Sequence, residues 1–311
     1  MLSLIKINVI LFVGRQEVKG KLIDLRKKIS TSANNESDFI RSNPMRYQNI
    51  ASIMTPEVVT IKPENTLHEA AQIMGQKHIG SLIVLKYGTP VGIITEGDLL
   101  NVVNEGVPLE RDWIHSSPSI YTKKVENYLS YPLIKICYDY RLTDAARLMI
   151  EKRVRRLGVC DSGTLVGIVT TSDMIGSLPQ VPETMKIWFE VDHFMSKQVV
   201  TADEETLLMD VAKIMAEKNV GSVIVTRKGE PFGIFTERDL LTRILCKDKT
   251  LIEHVGNVCS PSLITAPIGI SVHEAAEIMI EKHIKRLPIT QDDKLVGVLS
   301  ARDLVEAYAR D

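Results

Sequence analysis

Four times along the chain a hydroxyl side chain stands three residues ahead of an aspartate: Thr95 and Asp98, Thr170 and Asp173, Thr236 and Asp239, Ser300 and Asp303. Each pair follows an apolar residue, a glycine and two more apolar residues, as in Val166-Gly167-Ile168-Val169, so the hydroxyl falls where a strand gives way to a helix. There it can cap the helix or donate to a phosphate at the positive helix end. The aspartate lies in the first helical turn, where a carboxylate is favoured and can accept both hydroxyls of a ribose. The glycine leaves the strand bare where a flat base could approach. Together these groups describe a nucleoside seat. The same spacing is nearly a capping box, which would recur in any repeated fold, so the phrase alone fits both readings.

Cations favour the ligand reading. Arg155-Arg156 and Lys285-Arg286 stand upstream of the second and fourth phrases and offer bidentate phosphate donors, while Arg238 and Arg302 directly precede Asp239 and Asp303. The alternative use of the basic pairs is an ion pair with Glu151 or Glu281 on the preceding helix. The first phrase has Glu96 and Gly97 between Thr95 and Asp98, so a phosphate there would meet a carboxylate with no neighbouring arginine. Its cleft is expected to be the weakest or to take an uncharged ligand end.

The elements that must position these groups also repeat. The four aspartates are 75, 66 and 64 residues apart (98 to 173, 173 to 239, 239 to 303). Upstream of each phrase lies a helical stretch with alanine and methionine on one face, such as Ala70, Ala71 and Met74, opened in the first and fourth copies by the capping boxes Thr66-x-x-Glu69 and Ser271-x-x-Glu274. Apolar runs such as Ser81-Leu82-Ile83-Val84 read as buried strands, giving the order strand, helix, strand, strand, helix. Copies one and three carry Gly80-Ser81 and Gly221-Ser222 where copies two and four carry a basic pair and leucine. This A-B-A-B order predicts two modules, 45–176 (repeats about 49–104 and 125–176) and 191–311 (repeats about 191–246 and 254–311). A link over 177–190 with Pro179 and Pro182 joins them, and 1–44 forms an extension outside the repeats, with Met45 a candidate start.

The four phrases, the Arg155-Arg156-Leu157 and Lys285-Arg286-Leu287-Pro288 strands and the lead-ins Met54-Thr55-Pro56 and Cys259-Ser260-Pro261 resemble cystathionine-beta-synthase (CBS) domains over about residues 49–310. The resemblance implies an α/β fold with mixed sheets, in which CBS repeats pair into two tandem Bateman modules that pack by their sheets and commonly close into a flat disc, within one chain or between two as a homodimer. It further implies that backbone near Thr60, Leu133-Ile134-Lys135, Thr201 and Ile264-Thr265 reads an adenine edge.

Other chemistries are excluded on the residues. With 38 basic against 39 acidic residues and a net charge of −1, no sustained positive field invites nucleic acid. The four cysteines form no C-x-x-C pair and read as small buried hydrophobes in a reducing, cytoplasmic setting without a metal site. The apolar start, Met1 to Val13, is too short and interrupted to span a membrane. His68-Glu69 and His273-Glu274 lack a second histidine four places on, where Gln72 and Glu277 stand, and are expected at the surface. No Walker, dinucleotide or nucleophile-elbow motif occurs, so no catalytic residues are assigned. The sequence reading is a non-catalytic sensor that binds AMP, ADP or ATP, requires no cofactor and regulates a partner protein. An interaction scaffold with empty clefts, or a binder of S-adenosylmethionine or nucleic acid, are the alternatives.

Overall fold

A computed structural model of the chain describes residues 48–105, 122–178 and 190–309. The extension at 1–44 and the prolines of the 177–190 link lie outside the described residues. Repeat one consists of strand β1 (Thr60–Ile61), helix α1 (Leu67–Lys77), hairpin strands β2 (Ser81–Lys86) and β3 (Thr89–Thr95), and helix α2 (Glu96–Glu105). Repeat two follows as β4 (Lys135–Cys137), α3 (Leu142–Glu151), β5 (Arg156–Asp161), β6 (Thr164–Thr170) and α4 (Thr171–Gly176). Repeat three is β7 (Thr201–Asp203), α5 (Leu208–Glu217), β8 (Ser222–Arg227), β9 (Glu230–Thr236) and α6 (Glu237–Asp239), which runs on through a π-helical turn, Leu240–Ile244. Repeat four opens with β10 (Ser260–Pro261) and continues as β11 (Ala266–Pro267), α7 (Val272–Glu281), β12 (Arg286–Gln291), β13 (Lys294–Ser300) and α8 (Ala301–Ala309). In repeats one to three the short first strand, and in repeat four β11, lies parallel to the hairpin's first strand, and the hairpin is antiparallel, so the four small sheets are mixed.

Local chemistry explains these elements. The Thr66–Glu69 and Ser271–Glu274 capping boxes are both formed, each side chain accepting the other residue's amide. Helix α1 buries Leu67, Ala70, Ala71 and Met74, one helical face, and ends at His78 in the left-handed region. Each hairpin turns through two residues of positive φ, Tyr87-Gly88, Ser162-Gly163, Lys228-Gly229 and Asp292-Asp293, the two-residue turn whose twist matches antiparallel strands.

Two kinds of contact join the repeats. Within each sequential pair the lead-in of one repeat crosses the last hairpin strand of the other: Thr55 bridges Ile168, Ser130 bridges Ile93, Ser196 bridges Val298 and β10 pairs with β9. This crossing corrects the role expected for the phrase glycines. A Cβ at Gly92 would lie 2.7 Å from the Ser130 carbonyl oxygen, at Gly167 3.0 Å from that of Thr55 and at Gly233 2.6 Å from that of Ser260, so the glycines admit the partner repeat's backbone rather than a base. The helices, by contrast, pack across the pairs. One core joins repeats one and three (Leu67, Met74, Leu99, Leu208, Met215, Phe235) and another joins two and four (Leu142, Met149, Met174, Ala276, Met279, Leu304). Each repeat thus touches one neighbour through its lead-in and another through its helices, which closes a ring in the order one, two, four, three within a single chain.

Two other expectations change. His273 is not at the surface but 4% exposed in the two–four core, its Nδ1 3.2 Å from the Tyr308 hydroxyl and its Nε2 3.3 Å from Glu277. Cys137 is exposed at the end of β4 rather than buried. No described helix is long and apolar enough to cross a membrane.

Gly92→Ala and Gly233→Ala should each lose about 1–3 kcal/mol of unfolding free energy in urea titrations, because the added methyl meets backbone that cannot yield. Gly176→Ala, which meets nothing within 4 Å, should gain roughly 0.5 kcal/mol by restricting the unfolded chain. Equal responses at the three positions would show that the crossing does not constrain the phrase.

Candidate functional site

All four hydroxyl–aspartate pairs sit at strand–helix junctions, and all four are closed on themselves. The backbone amides of Thr95, Thr170, Thr236 and Ser300 donate to Oδ2 of Asp98, Asp173, Asp239 and Asp303 at 2.8, 2.8, 2.9 and 2.7 Å. The hydroxyls of Thr95, Thr170 and Thr236 donate to the same oxygen at 2.7, 2.8 and 2.7 Å. The capping use of the phrase is therefore real, and it consumes one carboxylate oxygen and three of the hydroxyl protons. The second oxygen separates the repeats. Asp98 Oδ1 accepts from Ser130 Oγ at 3.3 Å and Asp239 Oδ1 pairs with Arg243 Nε at 3.0 Å. Oδ1 of Asp173 and of Asp303 has no partner among the described residues.

The basic side chains converge where the four repeats meet. Glu151 and Glu281, their partners in the alternative reading, pair instead with their neighbours Lys152 and Lys282. The partners of the basic residues are Glu96 and Glu237, which hold the same place in phrases one and three. Arg155 Nη2 donates to Glu237 Oε2 at 3.0 Å, Arg156 Nη2 lies 3.9 Å from Glu96 Oε2, and Arg238 Nε lies 2.8 Å from Glu96 Oε1. Arg238 and Arg155 thus reach across the pairs, from repeat three to one and from two to three. The arginine that repeat one lacked in sequence is supplied by repeats two and three.

The A-B-A-B alternation has a steric cause here. A Cβ at Gly80 would lie 2.5 Å from Arg156 Nη2, and one at Gly221 2.5 Å from Arg286 Nη2, so each odd repeat's glycine makes room for an even repeat's guanidinium. Gly97 does the same for Glu237, whose Oε1 would be 3.3 Å from its Cβ. Burial holds Arg156 below its ordinary pKa, opposed by Glu96, and burial with repulsion from Arg155 does the same to Arg286. Desolvation and the fields of Arg156, Arg238 and Arg286 likewise lower the ammonium of Lys285, although the residue as a whole reaches solvent. Arginine stays charged under such shifts, so the cluster of Arg155, Arg156, Arg238, Lys285 and Arg286 is only partly neutralised by Glu96 and Glu237 and the fields of Asp98 and Asp303. Arg302 makes no ion pair or hydrogen bond among the described residues.

The positions named as adenine readers are distributed less evenly. Thr60 is in β1, opposite Ile83, and Ile264 is half-buried against the two–four core. Thr265 lines a cavity of about 440 Å³ with Phe232 and Leu295, and Thr201 one of about 300 Å³ with Ile224 and Lys294, both at the hairpin ends of repeats three and four. Neither cavity reaches Asp239, Asp303 or the basic cluster, whose arginines pair with Glu96 and Glu237. Glu96 and Glu237 as arginine partners, Ser130 and Arg243 escaped the sequence reading. The matching Thr-Glu-x-Asp of phrases one and three was the visible signal for the first two.

Comparison with known proteins agrees with this architecture. The CBS-domain profile matches residues 50–105, 125–180, 191–246 and 255–310. A Methanocaldococcus jannaschii protein, MJ1225, is 27% identical over 205 residues, covering 62% of this chain and 68% of its own length, and its crystal structure superposes with a TM-score of 0.70 at 20% identity over 84% of this chain and all of that one. A second protein of that organism, MJ1404, is 25% identical over 282 residues, 85% of this chain but 63% of its own length. A Pyrococcus horikoshii structure superposes with a TM-score of 0.57 at 24% identity, covering 84% of this chain and 100% of its own.

Glu96→Ala should destabilise the chain by about 3 kcal/mol, because it strands two guanidiniums in a largely buried place. In a chain already carrying Arg156→Ala and Arg238→Ala the same substitution should cost much less. Denaturant midpoints around this cycle check it, and additive losses would remove the network. Burial, against the hydrogen bonds from Ser300 and the attraction of Arg286, raises the pKa of Asp303. The folded chain then binds the extra proton, so this residue's contribution falls as pH rises above its unfolded value of about 4. Asp303→Asn should therefore be more stable than the parent at pH 7, with the advantage shrinking as pH falls toward about 4 in urea melts. A constant difference would refute the assignment.

Proposed function

Since the chain belongs to the CBS-domain family, whose members are generally regulatory rather than catalytic, we propose that it is a regulatory protein that binds AMP, ADP or ATP in the clefts beside its four phrases. The observation that carries this reading is that Oδ1 of Asp173 and of Asp303, at helix starts bordering a cluster with surplus positive charge, has no partner among the described residues. A ribose hydroxyl is the natural donor to such an oxygen, and a phosphate the natural partner of unneutralised guanidinium groups. Asp173 and Asp303 hold the sugar first. Asp239 follows only if Arg243 releases it, and Asp98 only if Ser130 does. Arg155, Arg156, Lys285 and Arg286, with Arg238 and Arg302, receive the phosphate. Backbone near Thr60, Thr201, Ile264 and Thr265 faces the base. Binding changes the ion pairs that join the two repeat pairs, and so biases their arrangement and what they present to a regulated partner protein.

MJ1225 is described as a candidate archaeal homologue of the AMP-activated kinase γ subunit, a description in line with this proposal. An interaction scaffold with empty clefts is the second reading, favoured by a centre already closed by its own ion pairs. A cationic sulfonium ligand fits the basic cluster poorly, and a net charge of −1 gives nucleic acid little to bind.

Isothermal titration of the full chain with AMP, ADP, ATP and S-adenosylmethionine tests the proposal. We expect an adenine nucleotide to bind with a roughly micromolar Kd, and Asp173→Ala with Asp303→Ala to weaken it by about tenfold or more. Absence of heat from every nucleotide would move the assignment to the scaffold.

A further inference from the structure

We propose that Glu96 and Glu237 are specificity-determining residues: resident anions that occupy the central guanidinium groups and so set how many phosphate charges the ring accepts. The inference rests on reading the clefts as nucleotide seats, and deepens it.

Three observations carry it. First, among the described residues the ion pairs of the central arginines all end on these two carboxylates, which are 9% exposed for Glu96 and 12% for Glu237. Second, the position is charged only where it faces a basic pair of another repeat. Phrases one and three carry glutamate directly after the threonine, whereas phrases two and four carry Thr171 and Ala301, both buried and neutral. A charge needed only to cap a helix would serve all four junctions equally. Third, the fit is incomplete. Glu96 Oε1 is buried and faces Arg238 Nε at 2.8 Å without the alignment of a hydrogen bond, so it neutralises the guanidinium while leaving donors unused.

Competition follows from electrostatics. A phosphate reaching Arg155, Arg156 or Arg238 comes within a few ångströms of a carboxylate, and like charges so close in a poorly solvated site repel strongly. Against the five cations Arg155, Arg156, Arg238, Lys285 and Arg286, the two glutamates cut the surplus to three positive charges, and the fields of Asp98 on Arg156 and of Asp303 on Arg286 cut it further, so the roughly two negative charges of a phosphate monoester are met better than those of a longer chain. A longer phosphate chain must displace a glutamate or share its arginines. The ring should therefore discriminate against polyphosphates, and the discrimination should reside in Glu96 and Glu237.

Titration calorimetry of the full chain with AMP, ATP and inorganic tripolyphosphate tests this on the parent, Glu96→Gln, Glu237→Gln and the double variant, with Glu96→Asp as the charge-conserving control. Neutralising both glutamates should raise affinity for ATP and tripolyphosphate by about tenfold or more and for AMP by less than about threefold, whereas Glu96→Asp should keep the parent's ratio. Equal changes for AMP and ATP, or none for ATP and tripolyphosphate, would overturn the inference. If the double variant is poorly folded, tripolyphosphate should raise its melting temperature more than the parent's, and an equal rise would count against the proposal just as decisively. Tripolyphosphate gaining affinity while no nucleotide binds would retain the resident anions and remove the nucleotide reading. Nucleotides that bind the parent, with phosphate-chain affinity indifferent to both glutamates, would do the reverse.

Discussion

A carboxylate buried at the meeting point of four repeats must find cations, and neither Glu96 nor Glu237 has one within its own repeat that serves. Glu96 is met by Arg156 and Arg238, and Glu237 by Arg155. Because an uncompensated buried charge costs several kcal/mol, the repeats can bury these groups only together. That requirement accounts for features that otherwise look unrelated: glycine at positions 80, 97 and 221, where side chains would strike the incoming groups, and basic pairs at the start of β5 and β12, where strands deliver them to the centre.

The ring that results uses two different adhesives. Sequential repeats exchange lead-in segments over bare glycines, a contact of backbone on backbone that tolerates little change. Non-sequential repeats share apolar helical cores, where methionines such as Met74, Met149, Met215 and Met279 fill the seams and leave some freedom to repack. A ligand acting at the centre bears on both, since the ion pairs there cross the same boundary that the helices span. The cavities beside Thr201 and Thr265 lie at the hairpin ends and are lined by none of its residues.

Electrostatic strain is concentrated where function is proposed. Burial raises Asp98 and Asp303 above the usual carboxylate range and lowers Arg156, Arg286 and Lys285. Groups held partly against their preferred charge state cluster at sites shaped for binding rather than for stability alone. The capping boxes and the site share the same atoms: Oδ2 of each phrase aspartate secures a helix, and Oδ1 decides which aspartates have an oxygen to spare.

The repeated phrase, its spacing and the capping boxes were legible in the sequence because they are local. An apolar alternation, a hydroxyl three residues before an acid and a two-residue turn act over a few residues, wherever the rest of the chain goes. The alternation of glycine and basic repeats was equally visible, but not its cause, for the guanidinium that fills the space at Gly80 lies 76 residues away at Arg156. For the same reason the basic pairs invited ion pairing with Glu151 and Glu281, near in sequence, and the phrase glycines invited a ligand where Ser130, Thr55 and Ser260 in fact cross. His273 reads as a capped-helix surface residue until Tyr308 packs beside it. Sequence by itself determined the elements and the repeat. Which repeats share a core, which oxygen of each aspartate stays free and which carboxylate meets which arginine were decided by tertiary structure, because the free energy of a buried charge or a close backbone contact depends on groups that only folding brings together.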